Sequence, residues 1–275
     1  MLRVARILSL DVALGACVSS WFIATIIGVS VSALVLFALG TAVWLIYTAD
    51  HLWDAYRLNH VPHTLRHRFH QQRFQVILVA FGLMSLLGVI SLFYLPPTIL
   101  RLGILLLVGV AIYFLVFQFT NLKRYFPKEV TAALLYTTGI FLPTLAQLNT
   151  YPTELFLLSF QYFGLALTNL ALFAWFEYRS DQLDTAHSLA TQYGKEKAKT
   201  IALVSLLVVL IVIIGSILWL PFDPLWLYAQ LILLVMIAIL SALLFQPDFF
   251  GQRERYRWIG DGVFIIPLLL YFTLL

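Results

Sequence analysis

Charge is what this sequence has least of. Asp, Glu, Lys and Arg together make up 11% of its 275 residues, whereas a soluble domain needs roughly a quarter to cover its surface. Hydrophobic residues make up 62% and the mean hydropathy is +0.94, so lipid must be the chain's main solvent. Cysteine is almost absent. Cys17 stands alone, which excludes an intrachain disulfide. No stretch has the composition of a soluble domain, a linker or a low-complexity segment. A net charge of +4 would suit a nucleic-acid binder, but the basic residues are scattered through short loops between apolar runs. That pattern makes no nucleic-acid footprint.

Long apolar runs dominate what is there. A spanning helix needs roughly 20 apolar residues to cross a hydrocarbon core about 30 Å thick. The stretch from Val12 to Ala49 carries no charge. It is too long for one helix and breaks naturally at Gly28–Ser30. Spans are expected near 8–27, 31–53, 74–95, 98–119, 130–149, 154–178, 199–220, 224–246 and 257–275. Turn-like sequence separates them at Pro96-Pro97, at Asn149–Pro152 and at Pro221–Pro224. The last span is the weakest, because Gly260, Asp261 and Gly262 sit near its start. The basic start, Met1 to Arg6, superficially matches a signal peptide. No small-residue cleavage site follows, and the apolar run is too long, so it reads as a retained first span. The expected fold class is all-α, a polytopic bundle of about nine transmembrane helices in one domain.

The cationic residues orient the bundle. Of the 17 Lys and Arg residues, only Arg101 falls on the side opposite the N-terminus. One missed or invented span would scramble that split. By the positive-inside rule the N-terminus and the loops after spans two, four, six and eight face the cytoplasm, as in an integral protein of the cell inner or plasma membrane.

Against this shortage of charge, two pairs of carboxylates stand out. Asp50 and Asp54 end span two, and Glu177 and Asp181 end span six. Residues four apart share a helix face, one turn from each other, and Asn169 lies two further steps of four up the second face. Like charges at that spacing repel. Each carboxylate placed deep in a bilayer costs roughly 2.5–3.5 kcal/mol. Divalent cations would neutralise such pairs. Mg²⁺, which keeps several waters and bridges carboxylates to phosphate oxygens, suits them best. Wet helix ends remain the plain alternative. Two ions between two pairs would make a diphosphate site, and Arg57, Arg66, Arg68, Lys123 and Arg124 supply the nearby cations that a departing diphosphate needs. The same charges also serve topology. His60, His63, His67 and His70 crowd one loop but match no standard zinc spacing. Asp11 reads as a structural residue at a helix start. The segments 45–54 and 172–181 echo each other faintly, which hints at duplication.

This pattern resembles the UbiA-type intramembrane prenyltransferases. That family is all-helical with nine spans and carries acidic motifs after the second and sixth, Asn-x3-Asp-x3-Asp and Asp-x3-Asp. Asp50 and Asp54 match the two aspartates of the first, and Glu177 and Asp181 match the second. Ser188 sits where the family often has a serine. The resemblance implies that these four acids are catalytic and hold Mg²⁺. It further implies that they bind the diphosphate of a polyprenyl donor, aided by Arg57, Lys123 and Arg124, and that the prenyl group passes to an aromatic or other lipophilic acceptor in the membrane lipid. There are departures. Ile46 stands in place of the motif's asparagine, Glu177 in place of an aspartate, and the loop Arg66–His70 lacks the usual Arg-Pro-rich form. Two rival readings are a cation- or proton-coupled transporter, which uses paired membrane acids, and a non-catalytic relative that keeps the fold. A CDP-alcohol phosphotransferase would need Asp-Gly and Ala-Arg motifs, which neither acidic segment has.

Overall fold

The computed structural model describes residues 2–57, 65–119, 127–184 and 186–273. Among the described residues every regular element is helical. Seven helices are long and apolar enough to cross a membrane. They are α2 (Leu10–Ile27), α3 (Ala33–Arg57), α5 (Phe74–Leu92), α6 (Pro97–Phe119), α8 (Thr153–Leu183), α10 (Lys195–Trp219) and α11 (Pro224–Phe245). The two other expected spans are helical as well. One is α7 (Lys128–Leu145), made less apolar by its initial Lys-Glu pair and its threonines. The other is α13 (Arg255–Gly262), continued by a 3₁₀ segment over Val263–Thr273. The number of spans is therefore close to the expected nine. Short helices fill the connections: α1 (Leu2–Ile7), α4 (Leu65–Gln72), α9 (Leu189–Tyr193) and α12 (Pro247–Gly251).

The ends of the elements follow local chemistry. Gly28 adopts φ +77°, where its missing Cβ avoids strain, and it closes α2. Its N–H reaches the Thr25 carbonyl at 3.2 Å, and the Val29 N–H reaches that of Ala24 at 2.8 Å. These are the paired bonds that satisfy a helix's last carbonyls. Pro224 opens α11, with the Asp223 side chain accepting from the Leu225 N–H at 3.1 Å.

The core gathers around α8. Leu158, Tyr162, Leu165 and Leu172 are wholly buried along it, and it packs on both α10 and α7. Between α8 and α11 the Gln161 amide donates to the Gln230 side-chain oxygen at 2.8 Å, a polar link that lipid cannot compete for. By contrast α5 packs chiefly on α3, and α6 on α7. Their outer faces (Val76, Leu83, Leu105, Ile112) are exposed and meet lipid. With 31 residues, α8 is about 46 Å long. A core about 30 Å thick cannot cover it. Its last turns emerge on the basic side and carry the second acidic motif with them.

Small residues allow the closest crossings. A Cβ on Gly164 would come within 2.2 Å of Val209 Cγ2 in α10. Val209 is buried and stiff at χ1, so it has little room to yield. Gly164→Ala should destabilise the protein by about 1–3 kcal/mol, read as a lowered melting temperature in detergent. Gly215→Ala, where the new Cβ meets nothing within 4 Å, should leave the melt unchanged or raise it.

Candidate active site

A cavity of about 890 Å³ opens between α3, α6 and α7, a size typical of ligand sites. Its wall on α3 runs from Val35 to Asp54, about 28 Å at 1.5 Å per residue. Chemistry divides along that length. Apolar side chains such as Leu39, Ile99, Leu106 and Val110 line one part. At the other end stand Asp50, Asp54, Lys128, Glu129, Asp184 and His187. These charges come from the C-terminal end of α3, the N-terminal end of α7 and the segment after α8, which all lie on the basic side of the bundle. Ile46, one turn before Asp50, lies on the wall and extends the apolar part towards the acids.

Lys128 is the centre of this charged end. It lies within electrostatic reach of Asp50 from the first acidic pair, Asp181 from the second and its neighbour Glu129. Tyr113 of α6 shares that field with Asp50, Asp54 and Lys128. Glu129 is buried, and its Oε1 accepts from the Leu189 N–H at 2.8 Å. That bond ties the start of α7 to the start of α9. Ser188 caps α9 through a reciprocal bond pair with Thr191, so the segment that brings Asp184 and His187 to the cavity is held at its far end. Among the described residues no three His, Cys, Asp or Glu side chains stand close enough to cage a metal by themselves.

The expected site residues do not all converge. Asp50 and Asp54 line the cavity. Asp181 lies off its wall but within reach of Lys128. Glu177 is held by α13 instead: Arg257 Nη2 lies 2.6 Å from its Oε2, and the Tyr256 hydroxyl donates to its Oε1 at 3.1 Å. Asn169 is buried against α13, where a Cβ on Gly260 would come within 2.3 Å of its Oδ1. Arg66 is buried behind the first motif. It lies 3.5 Å from Asp261 and 3.4 Å from the His51 Nε2, and its charge still reaches Asp50. Arg68 is half-buried on α4. Lys123, Arg124 and the Arg57 side chain lie outside the described residues, as do His60, His63 and the His67 side chain.

Sequence reasoning missed Lys128, Glu129, Tyr113 and Asp184 as wall residues. For Lys128 and Glu129 a signal existed, since both open a spanning helix directly after Pro127. Nothing in the pattern marks Tyr113 among the other aromatic residues.

His70 closes the polar group behind the first motif. Its ring is fully buried. Nδ1–H donates to the Arg66 carbonyl at 2.9 Å, while Nε2 is buried with no hydrogen-bonding partner. A second proton there would be a buried charge, so burial pushes the imidazole below its usual 6.5, and nearby Arg66 adds to this. The folded chain therefore binds this proton less readily than the unfolded chain. The resulting stability is complete above pH 6.5 and is lost as pH falls through the lowered value. Melting curves from pH 8 to pH 5 (about the range where histidine titrates) should fall less steeply for His70→Gln than for the wild type.

No protein-family model matches this chain. No curated protein matches it either. A solved structure of digeranylgeranylglyceryl phosphate synthase does, with a TM-score of 0.58 at 14% identity, covering 99% of this chain and 98% of that one. The likeness is one of fold. The protein is an integral membrane protein with the fold of a UbiA-type prenyltransferase.

Proposed function

We propose that this protein transfers a prenyl group from a polyprenyl diphosphate to an aromatic or other lipophilic acceptor inside the membrane. One observation carries the reading: a single cavity is apolar for most of its length and ends in clustered acids around a lysine. A prenyl diphosphate has that same division, a long apolar tail on a doubly phosphorylated head. The shared fold of digeranylgeranylglyceryl phosphate synthase supports it further.

Such a donor calls for a divalent cation, and the residues present fit Mg²⁺. Asp50, Asp54 and Asp181 offer the hard oxygen ligands it takes. The buried Glu129 Oε2 has no hydrogen-bonding partner and suits a metal-bound water. Carboxylates that do not close a cage match an ion that keeps waters and shares its shell with phosphate. Bound there, Mg²⁺ supplies positive charge to the diphosphate oxygens as the leaving group departs.

The chain does the rest. Lys128 binds the diphosphate from the α7 side and stabilises the charge that builds on it. The apolar walls from Ile46 towards Val35 hold the isoprenoid and exclude water from the allylic carbon, which would otherwise be quenched. The acceptor then attacks that carbon, and its proton leaves to solvent at the polar mouth. The basic loops orient the polar mouth and the N-terminus to the cytoplasm of an inner or plasma membrane.

Purified protein, labelled geranylgeranyl or farnesyl diphosphate and a panel of acceptors test this. The wild type should release diphosphate and form a prenylated product in the presence of Mg²⁺. Asp54→Asn should be slower by on the order of 100-fold. If the wild type and Asp54→Asn are equally inert with every donor, and neither binds diphosphate in a Mg²⁺-dependent way, the reading is wrong.

A further inference from the structure

Both oxygens of Glu177 are already engaged. Arg257 Nη2 lies 2.6 Å from Oε2, with the two side chains only 11% and 13% exposed. The Tyr256 hydroxyl donates to Oε1. The contact extends along α8. The Tyr256 ring stacks on Phe176 at 4.4 Å and 6°, and Gly260 leaves just enough room for Asn169 and Phe173. A guanidinium thus already pairs with the carboxylate that the matching motif would offer to a metal ion.

Two turns further on, the same helix face reaches the charged end of the cavity. Asp184 stands seven residues past Glu177, about two turns, and so shares its face. It lines the cavity, which Glu177 does not. Asp181, between them, lies within reach of Lys128. Independently, the buried Glu129 Oε2 on the same wall has no hydrogen-bonding partner, which points to a ligand at that end.

Taking the prenyl diphosphate reading as its premise, we infer that the working second acidic pair of this chain is Asp181 with Asp184, and that Glu177 is a positioning residue. Glu177 latches α13 onto α8 through Arg257 and Tyr256. The acids that meet the metal-bound diphosphate come one turn nearer the basic side. Electrostatically this is consistent, because a carboxylate neutralised by a buried arginine has little charge left to offer a cation.

The test uses the full-length protein in nanodiscs, with Mg²⁺ and inorganic pyrophosphate as the probe and melting temperature as a second readout. The wild type should bind pyrophosphate only with Mg²⁺. Asp181→Asn and Asp184→Asn should each weaken that binding by at least about tenfold with an unchanged melt. Glu177→Gln should lower the melting temperature and leave the binding constant within about twofold, well inside the tenfold step expected of a lost ligand. The exchange Glu177→Arg with Arg257→Glu rebuilds the latch with its charges reversed. It should recover the melt and keep pyrophosphate binding, even if Glu177→Gln alone does not fold.

The inference is overturned if Asp184→Asn binds like the wild type. It is equally overturned if the exchange variant melts normally but no longer binds pyrophosphate with Mg²⁺. In both cases the prenyl diphosphate reading stands. A wild type with no Mg²⁺-dependent pyrophosphate binding removes that reading and this inference together.

Discussion

The whole arrangement turns on one problem, how a chain with so little charge keeps several carboxylates at the edge of a hydrocarbon layer. Lys128 is the answer at the cavity. Its charge acts on Asp50 of α3, Asp181 of α8 and Glu129 beside it. Without it, three helices would bring like charges together where screening by water is weak. With it, part of that repulsion is offset. A surface salt bridge would contribute little. This lysine acts in a partly desolvated cluster, so it sets the electrostatic character of the site as well as its stability.

That charged end is fixed in place by helix lengths and packing. α8 outruns the bilayer, so its last turns carry acids into the aqueous boundary without stranding them in lipid. α3 ends with Asp50 and Asp54 on the cavity side and with His51 and Thr48 buried on the other. The apolar length above them is walled by α6, which leans on α7 and turns its other faces to lipid. The cavity therefore lies at the lightly packed margin of the bundle. The dense core around Tyr162, Leu165 and Leu172 lies elsewhere.

The sequence made much of the fold legible. Long uncharged runs can do little in water except seek lipid, and seven of the expected spans are long apolar helices among the described residues. The short helices α4, α9 and α12 were invisible, because a few turns of polar sequence carry no periodic signal. The acids were legible as a pair of pairs, since spacing of four on a helix is geometry. Their partners were not. Nothing in the sequence joins Arg257 to Glu177 or Arg66 to Asp261, since both contacts depend on how α13 crosses the bundle. Lys128 was visible only as one loop charge among many, as topology and electrostatics leave the same mark there.

The C-terminal helix explains why those partners matter. Arg257 and Asp261 stand four apart on α13 with opposite charge. Arg257 holds Glu177 on α8, while Asp261 holds Arg66 on α4, just beyond the first acidic motif. One short helix thus touches the supports of both acidic motifs, which belong to distant parts of the chain. Gly260 between the two charges lets α13 press against Asn169 and Phe173, so the bridge is short and little can intervene. Two buried ion pairs contribute little net stability, given the cost of removing their charges from water. Their effect is geometric: shifting α13 would strand charges on both sides at once, and that penalty holds the two motifs in register. Gly260, part of the Gly-Asp-Gly run that made this span the weakest in the sequence, is the feature that allows it to act as the brace.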